Sequence, residues 1–213
     1  MLAALPMAVA IALSPFAIIP AIVLLLTPRP RAAASAFLAG WWLGVALVAG
    51  LAVAIVDASH GADAPARWRA WAGLLLGGAL LVLGAMRWRA RGRGATPAWL
   101  QGVQSATPRH ALLLGLTLSA ANPKVLLLAV AGGVAIGAGD MGPLRQASGV
   151  FGFALASSLS VALPLSAFMI APGKAMPLLA RLREWLEANA DAVMAAVFLA
   201  LGAALVLKAF GSL

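Results

Sequence analysis

The residues with the clearest chemical potential in this sequence are Asn122, Pro123 and Lys124, which lie within an otherwise apolar stretch. Between residues 111 and 138, the strongly polar side chains are those of Asn122 and Lys124. A lysine at the centre of a membrane helix costs about 2.5–3.5 kcal/mol on insertion scales, so it indicates a functional site by default. Pro123 adds to this cost because it removes a backbone donor and clashes with the preceding turn. We therefore expect the protein to use this break.

Ser14 and Pro15 form a similar pair within the first apolar stretch. Ser or Asn followed by Pro is typical of a helix N-cap and first turn, so each pair predicts a half-helix that begins inside the membrane. The N-terminus of a half-helix attracts anions, and a lysine in its first turn is unfavourable unless an anion is present. The sequence therefore predicts a substrate-binding site for a carboxylate, phosphate or sulfate, formed by Lys124, Asn122 and Ser14 at the breaks made by Pro15 and Pro123. The alternative is a proline kink whose lysine extends along a water-filled crevice.

A second group of reactive residues, Asp57, His60 and Asp63, follows the second apolar stretch. His60 could act as a base toward an acceptor hydroxyl in acyl transfer. The sequence has no Gly-x-Ser-x-Gly elbow, and a loop with Gly61 and Pro65 is usually a polar turn. These three residues are the candidates for a catalytic role in an alternative hypothesis, a membrane-embedded acyl-transfer enzyme that modifies envelope glycolipids. No cofactor and no metal site is expected.

The composition is typical of an integral membrane protein. Hydrophobic residues make up 63% of the chain, charged residues 10%, and the mean hydropathy is +1.01. At about 20 apolar residues per crossing, the 213 residues allow a single all-α polytopic domain, residues 1–213. The six predicted transmembrane helices are residues 4–26, 32–56, 71–86, 111–138, 147–171 and 190–210.

The segment before the sixth predicted helix is amphipathic. Its apolar face consists of Leu178, Leu179, Leu182, Trp185 and Leu186. This pattern predicts either an interfacial helix or a cytoplasmic start to the sixth helix.

The basic residues predict the orientation of these helices. The loops after the first, third and fifth predicted helices contain Arg29, Arg31, Arg87, Arg89, Arg91, Arg93, Arg109, Lys174, Arg181 and Arg183. The opposite side carries Arg67, Arg69, Arg145 and Lys208. The positive-inside rule then predicts a multi-pass protein of the bacterial cytoplasmic (inner) membrane with both termini extracytoplasmic. The basic loop, residues 87–110, is interpreted as a topology signal, with an anionic-lipid site as the alternative. No nucleic-acid partner is expected.

The two proline breaks also predict internal symmetry. Each lies in the first helix of a three-helix set, residues 1–90 and residues 110–213. Three helices per repeat force the two copies into opposite orientations. This is the inverted-repeat plan of many secondary transporters, whose sites lie near the bilayer midplane between broken helices.

The residues at and around these breaks carry a resemblance to a known family. They are Ala12-Leu13-Ser14-Pro15, Pro20, Thr27-Pro28-Arg29, Phe37-Leu38-Ala39-Gly40-Trp41 and Asn122-Pro123-Lys124. With these motifs the chain resembles the LysE transporter superfamily, and within it the glycolipid-addressing branch, the peptidoglycolipid and sulfolipid addressing proteins. The resemblance covers essentially the whole chain. It implies a role in moving glycolipids or their precursors to the cell surface.

The resemblance also implies partners and alternatives. The partners are membrane lipids, with a larger lipid transporter or lipid-synthesis enzymes as further candidates. Amino-acid exporters of the LysE type usually have a Gly-rich Pro motif where this chain has Ser14-Pro15-Phe16. This departure disfavours lysine or homoserine export, and small amino-acid export is kept only as an alternative. Cation transport is disfavoured because Lys124 would repel the cargo.

Small-residue spacings leave room for an accessory or packing subunit, including a homodimer. They occur at Gly40-x3-Gly44, Gly73-x3-Gly77 and Gly133-x3-Gly137. Such spacings support close helix contact, which in a membrane protein with 22 glycines most often serves packing within the subunit.

The predicted anion site at the proline breaks and the family resemblance together lead us to expect a transporter or exporter of an anionic lipid, glycolipid or glycolipid precursor.

Overall fold

The described residues of the protein are helical, as predicted. The computed structural model describes residues 2–59, 74, 78, 80–89, 103, 106–139 and 141–210. After a 3-10 turn at Leu2–Ala4, the helices are α1 (Leu5–Ala12), α2 (Pro15–Leu24), α3 (Pro30–Ser59), α4 (helical residues 80–89), α5 (Pro108–Ala120), α6 (Pro123–Gly137), α7 (Pro143–Ile170) and α8 (Pro172–Phe210).

Three of these helices are long and apolar enough to cross a membrane. They are Pro30–Ala58 within α3, Pro143–Ile170, and Pro172–Ala204 within α8. Two helix pairs pass the same test together but are bent, α1 with α2 by 46° and α5 with α6 by 67°. Counting each bent pair as one span gives up to five spans within the described residues. The predicted breaks in the first and fourth spans, at Pro15 and Pro123, are confirmed.

The third and sixth predicted spans do not each correspond to one described helix. The third, residues 71–86, lies largely outside the described residues. The sixth is part of a longer helix, because α8 runs without interruption from Pro172 to Phe210. The amphipathic segment is therefore the start of this helix and not a separate interfacial helix. Of its predicted apolar face, Leu179 and Leu186 are buried, whereas Leu178, Leu182 and Trp185 are exposed.

Proline sets the starting points of several helices. Pro15, Pro108, Pro123 and Pro143 each occupy the first turn of their helix. A proline there forfeits an N–H that has no partner within the helix, and its fixed φ suits the first turn. The prolines therefore end one segment and begin the next at defined positions in the chain.

The centre of the bundle is built on α3, which contacts α5, α6 and α7. Phe37, Trp41, Val45 and Ala49 recur at every fourth position of α3, and all four are fully buried. This spacing places the four side chains on one face of the helix. The outer surface of α3 is apolar as well, since Leu51 and Ile55 are 64% and 70% exposed. An apolar outer surface suits a helix that faces lipid.

Glycines bring these helices into close contact. A Cβ atom at Gly40 would collide with the Leu112 carbonyl of α5, and one at Gly133 would collide with the Ala49 carbonyl of α3. Gly44 lies against Ser119 and Gly137 against Val56. The prediction that these two glycine spacings serve packing within the subunit is confirmed, whereas Gly73 and Gly77 lie outside the described residues.

We predict that Gly40→Ala destabilises the protein and that Gly152→Ala does not. The added methyl group at Gly40 would overlap backbone atoms of α5, and such overpacking costs about 1–3 kcal/mol. A Cβ atom at Gly152 would meet nothing within 4 Å, so alanine there should leave stability unchanged or raise it through its higher helix propensity. Thermal unfolding in detergent measures both variants. Equal melting temperatures for the two variants would contradict this account of the contact between α3 and α5.

Candidate functional site

At the α5–α6 break, the side chain of Asn122 caps the start of α6. Asn122 leaves the helical conformation with φ −73° and ψ 118°, and its Oδ1 accepts a hydrogen bond of 3.1 Å from the backbone N–H of Lys124. Pro123 has no N–H, and the N–H of Leu126 donates to the carbonyl of Asn122 at 2.9 Å. The backbone amide of Lys124 is therefore occupied by Asn122 and is not a free donor for an anion.

The Lys124 side chain extends from the first turn of α6 into the bundle. It is 3% exposed. Its Nζ lies 3.2 Å from the Sδ of Met194 and 5.3 Å from the centroid of the Phe198 ring, both on α8. Among the residues that the structure describes, no carboxylate pairs with this ammonium group. Thioether and ring contacts of this kind contribute about 0.5–2 kcal/mol, less than the cost of burying the charge.

An ion pair lies close to this site. Arg87 of α4 donates to Asp191 of α8 at 3.2 Å. Asp191 precedes Met194 by three positions, so the two side chains share a face of α8. Among the described residues, this part of the bundle therefore brings together two basic side chains, Lys124 and Arg87, and one carboxylate, that of Asp191.

The α1–α2 break has the same backbone form and a different polar arrangement. Ser14 occupies the N-cap position with φ −78° and ψ 121°, yet its side chain makes no capping hydrogen bond. Its Oγ is fully buried and has no hydrogen-bond partner among the described residues. The half-helix predicted to begin at Pro15 is present, but Ser14 does not cap it.

Residues that follow each of the two breaks contact the same helix, α8. The second half of the first break, α2, packs against α8, and Lys124 contacts α8 through Met194 and Phe198. No hydrogen bond within the described part of the chain joins Ser14 to Lys124 or Asn122. A shared site for these residues stays a prediction.

The residues of the alternative catalytic hypothesis are only partly described. Asp57 lies near the end of α3, where its Oδ1 accepts a hydrogen bond of 2.9 Å from the Gln146 amide of α7. His60 and Asp63 lie outside the described residues. The described ranges contain no cluster of His, Cys, Asp or Glu that could hold a metal ion. No observation here favours acyl transfer.

The sequence analysis missed the α8 side of the Lys124 site. Asp191, Met194 and Phe198 follow one another at spacings of three and four, which places them on one helical face. That spacing was visible within the predicted sixth span, where Asp191 is an acidic residue near the start. What the sequence could not supply is the pairing of this face with α6, because Lys124 and Met194 lie 70 residues apart.

Comparison with known proteins identifies one family. A family model described as Sap, sulfolipid-1-addressing protein, matches residues 4–211 of the chain. No curated protein and no solved structure matches it.

We predict that the two cap positions respond differently to alanine. Asn122→Ala removes the hydrogen bond to the Lys124 amide and should cost about 0.5–2 kcal/mol, the usual effect of losing an N-cap. Ser14→Ala removes a buried hydroxyl that has no partner in the described chain, so it should be neutral or stabilising. Unfolding in detergent without added lipid compares the two variants. A larger loss of stability for Ser14→Ala than for Asn122→Ala would show that the two positions have been assigned the wrong roles.

Proposed function

The chain belongs to the sulfolipid-1-addressing protein family, and we propose that it is an exporter that moves an anionic lipid, glycolipid or glycolipid precursor across or out of the cytoplasmic membrane. The observation that carries this proposal is the buried Lys124 ammonium in the first turn of a broken helix, 3% exposed and without a carboxylate partner in the described residues. The description of the family names a sulfolipid, which supports a lipid as the class of cargo.

The contacts of the Lys124 ammonium compensate its charge only in part. An ammonium group carries three donors, and the Met194 sulfur accepts from it only as a weak acceptor. The positive end of the α6 dipole lies beside it and adds to the unfavourable potential. A sulfate, phosphate or carboxylate group of the cargo would supply the missing negative charge and strong acceptors. The same potential, with Arg87 nearby, disfavours a cationic cargo.

The packing of the helices supports an inverted-repeat transporter, the plan predicted from the two proline breaks. In the first half of the chain the bent pair α1–α2 precedes the long helix α3, and in the second half the bent pair α5–α6 precedes the long helix α7. Helix α3 packs against both parts of the second bent pair, and α7 packs against both parts of the first. Reciprocal contacts of this kind follow when two repeats are related by a two-fold axis. Such repeats export cargo by rocking about a central site.

We predict that Lys124→Gln abolishes most export without unfolding the protein. Loss of a charge-assisted hydrogen bond to the cargo, worth about 1.5–3 kcal/mol, would reduce export by about 10- to 100-fold. Removal of an uncompensated buried charge should leave the stability in detergent unchanged or higher. Lipid export, measured by mass spectrometry of surface-extracted lipids at matched protein level, tests the first effect, and thermal unfolding tests the second.

The matched control is Lys174→Gln, a lysine at the exposed start of α8. It carries the same charge change and should export normally. Unchanged export by Lys124→Gln would overturn the anion-site proposal, and so would an equal loss in both variants.

We also predict that the basic loop faces the cytoplasm. The chain contains no cysteine, so single cysteines introduced by Gly94→Cys and Ala62→Cys can be labelled without background. A membrane-impermeant maleimide added to whole cells should label the cysteine at position 62 and reach position 94 only after permeabilisation. Labelling of position 94 from outside would reverse the orientation and place both termini in the cytoplasm.

A further inference from the structure

A cavity of about 450 Å³ lies at one end of the bundle, where the turn that joins α2 to α3 meets the turn that joins α7 to α8. Its volume is within the range of small-molecule sites. The lining residues come from both turns and the helix ends beside them, and are Arg29, Pro30, Arg31, Ala32, Phe168 and Pro172. Two segments that are far apart in the sequence therefore form one site.

Local hydrogen bonds and a proline fix the backbone of the basic wall of this cavity. The Thr27 hydroxyl donates to the Leu24 carbonyl at 2.7 Å, at the end of α2. The Arg29 carbonyl accepts from the N–H of Ala33 at 3.0 Å, which is the bond that begins α3. Pro30 follows with its φ fixed by the ring. The two arginines on either side of this proline are therefore held on a turn of defined shape.

In the described part of the chain, no carboxylate pairs with this basic wall. Arg29 and Arg31 are both exposed, and neither takes part in a described ion pair. Of the described carboxylates, two pair with other arginines, one lies near the far end of α3, and one lies about 18 Å along α8 from Pro172. In that order they are Glu187 and Asp191, then Asp57, then Glu184. The charge of the two guanidinium groups is therefore available to an anion.

Other groups at the same end of the bundle add to this positive potential. Helices α3 and α5 run parallel, because Gly40 lies against Leu112 and Gly44, one turn later, lies against Ser119. Their N-termini therefore lie at the same end, which brings the exposed Arg109, in the first turn of α5, to the end that holds the cavity. The N-termini of α3 and α8 carry partial charges of the same sign. This end of the bundle attracts anions.

The opposite wall of the cavity is apolar and adjoins the surface that faces lipid. Phe168 lines the cavity and packs against the core of the bundle. The next two residues, Met169 and Ile170, are 52% and 84% exposed. Three candidate membrane spans begin or end here, at Pro30, Ile170 and Pro172. The cavity therefore lies at the boundary between the hydrocarbon core and the lipid head groups.

We propose that this cavity binds an anionic phospholipid of the membrane, with the phosphate group at Arg29 and Arg31 and the start of an acyl chain against Phe168. Guanidinium groups donate paired hydrogen bonds to phosphate oxygens. A zwitterionic phospholipid also carries an ammonium group, for which the described walls supply no carboxylate. The cavity therefore selects an anionic head group. The bound phospholipid is a resident partner and not the exported cargo, so this site stands apart from the proposed function.

The walls of the cavity favour a lipid over a soluble anion. A free phosphate ion would contact the arginines and leave the Phe168 wall exposed, whereas a phospholipid covers both and buries apolar surface. The exposed Met169 and Ile170 then contact the acyl chains. One phospholipid would contact both turns and hold the start of α3 against the start of α8.

The test is native mass spectrometry of the purified full-length protein with phosphatidylglycerol and phosphatidylethanolamine of equal chain length. Wild type should retain phosphatidylglycerol at least about tenfold better. The double variant Arg29→Gln/Arg31→Gln should lose about 10- to 30-fold of this retention, the effect of two basic side chains on an anionic lipid. The matched control Arg89→Gln/Arg145→Gln removes two exposed arginines outside the cavity lining and should bind as wild type does. Equal retention of the two lipids by wild type would overturn the proposal, and so would an equal loss in both double variants.

Ala32→Trp tests the cavity itself without a change of charge. An indole at this lining position fills the space between the two turns and should remove the phosphatidylglycerol adduct. Leu47→Trp places the same side chain on the same helix, at a residue that is 51% exposed and outside the cavity, and should leave the adduct intact. Unchanged binding by Ala32→Trp would overturn the proposal. Dimers of wild type that disappear in Ala32→Trp, with no change in lipid adducts, would also overturn it and make the cavity an interface between copies.

Thermal unfolding in detergent distinguishes a lipid from a free anion. Phosphatidylglycerol should raise the melting temperature of wild type, because a ligand that binds only the folded state stabilises it, and should not raise that of Arg29→Gln/Arg31→Gln. Inorganic phosphate that stabilises wild type as strongly as the lipid would overturn the lipid as the ligand. Lys124→Gln should keep the full response to phosphatidylglycerol, because Lys124 does not line this cavity. Loss of the response in that variant would overturn the placement of the site at the two turns.

Discussion

The burial of the Lys124 ammonium is the constraint that the packing of the rest of the bundle has to offset. The charge costs about 2.5–3.5 kcal/mol in a membrane helix, and its contacts with Met194 and Phe198 return about 0.5–2 kcal/mol. The α6 N-terminus lies beside it with the same sign of potential. The protein therefore holds an unfavourable charge, which packing elsewhere must offset.

That packing is supplied by α3, which fixes both halves of the break. On one side, Gly44 of α3 lies against Ser119 of α5, and on the other, Gly133 of α6 lies against Ala49 of α3. The 67° bend is thus held by one continuous helix that contacts the chain before and after Pro123. Proline permits the bend, and the glycine contacts determine where the two halves go. The position of Lys124 in the bundle follows from these contacts.

Sequence was sufficient for the features that depend on local chemistry. The helical class, the breaks at Pro15 and Pro123 and the cap at Asn122 follow from residue type and neighbours along the chain. The sequence did not indicate that Ser14 would stay uncapped or that Asp191, Met194 and Phe198 would form the far side of the Lys124 site. It also left open whether the amphipathic segment would form an interfacial helix or join the sixth helix. These depend on contacts between residues far apart in the chain, which periodicity and capping rules do not encode.

The interior of the bundle also holds polar groups for which the described chain supplies no hydrogen-bond partner. Ser157 of α7 and Ser14 are buried with hydroxyl groups that lack partners in the described chain. A purely structural bundle gains nothing from such groups, so the interior carries polar capacity beyond what its own folding requires.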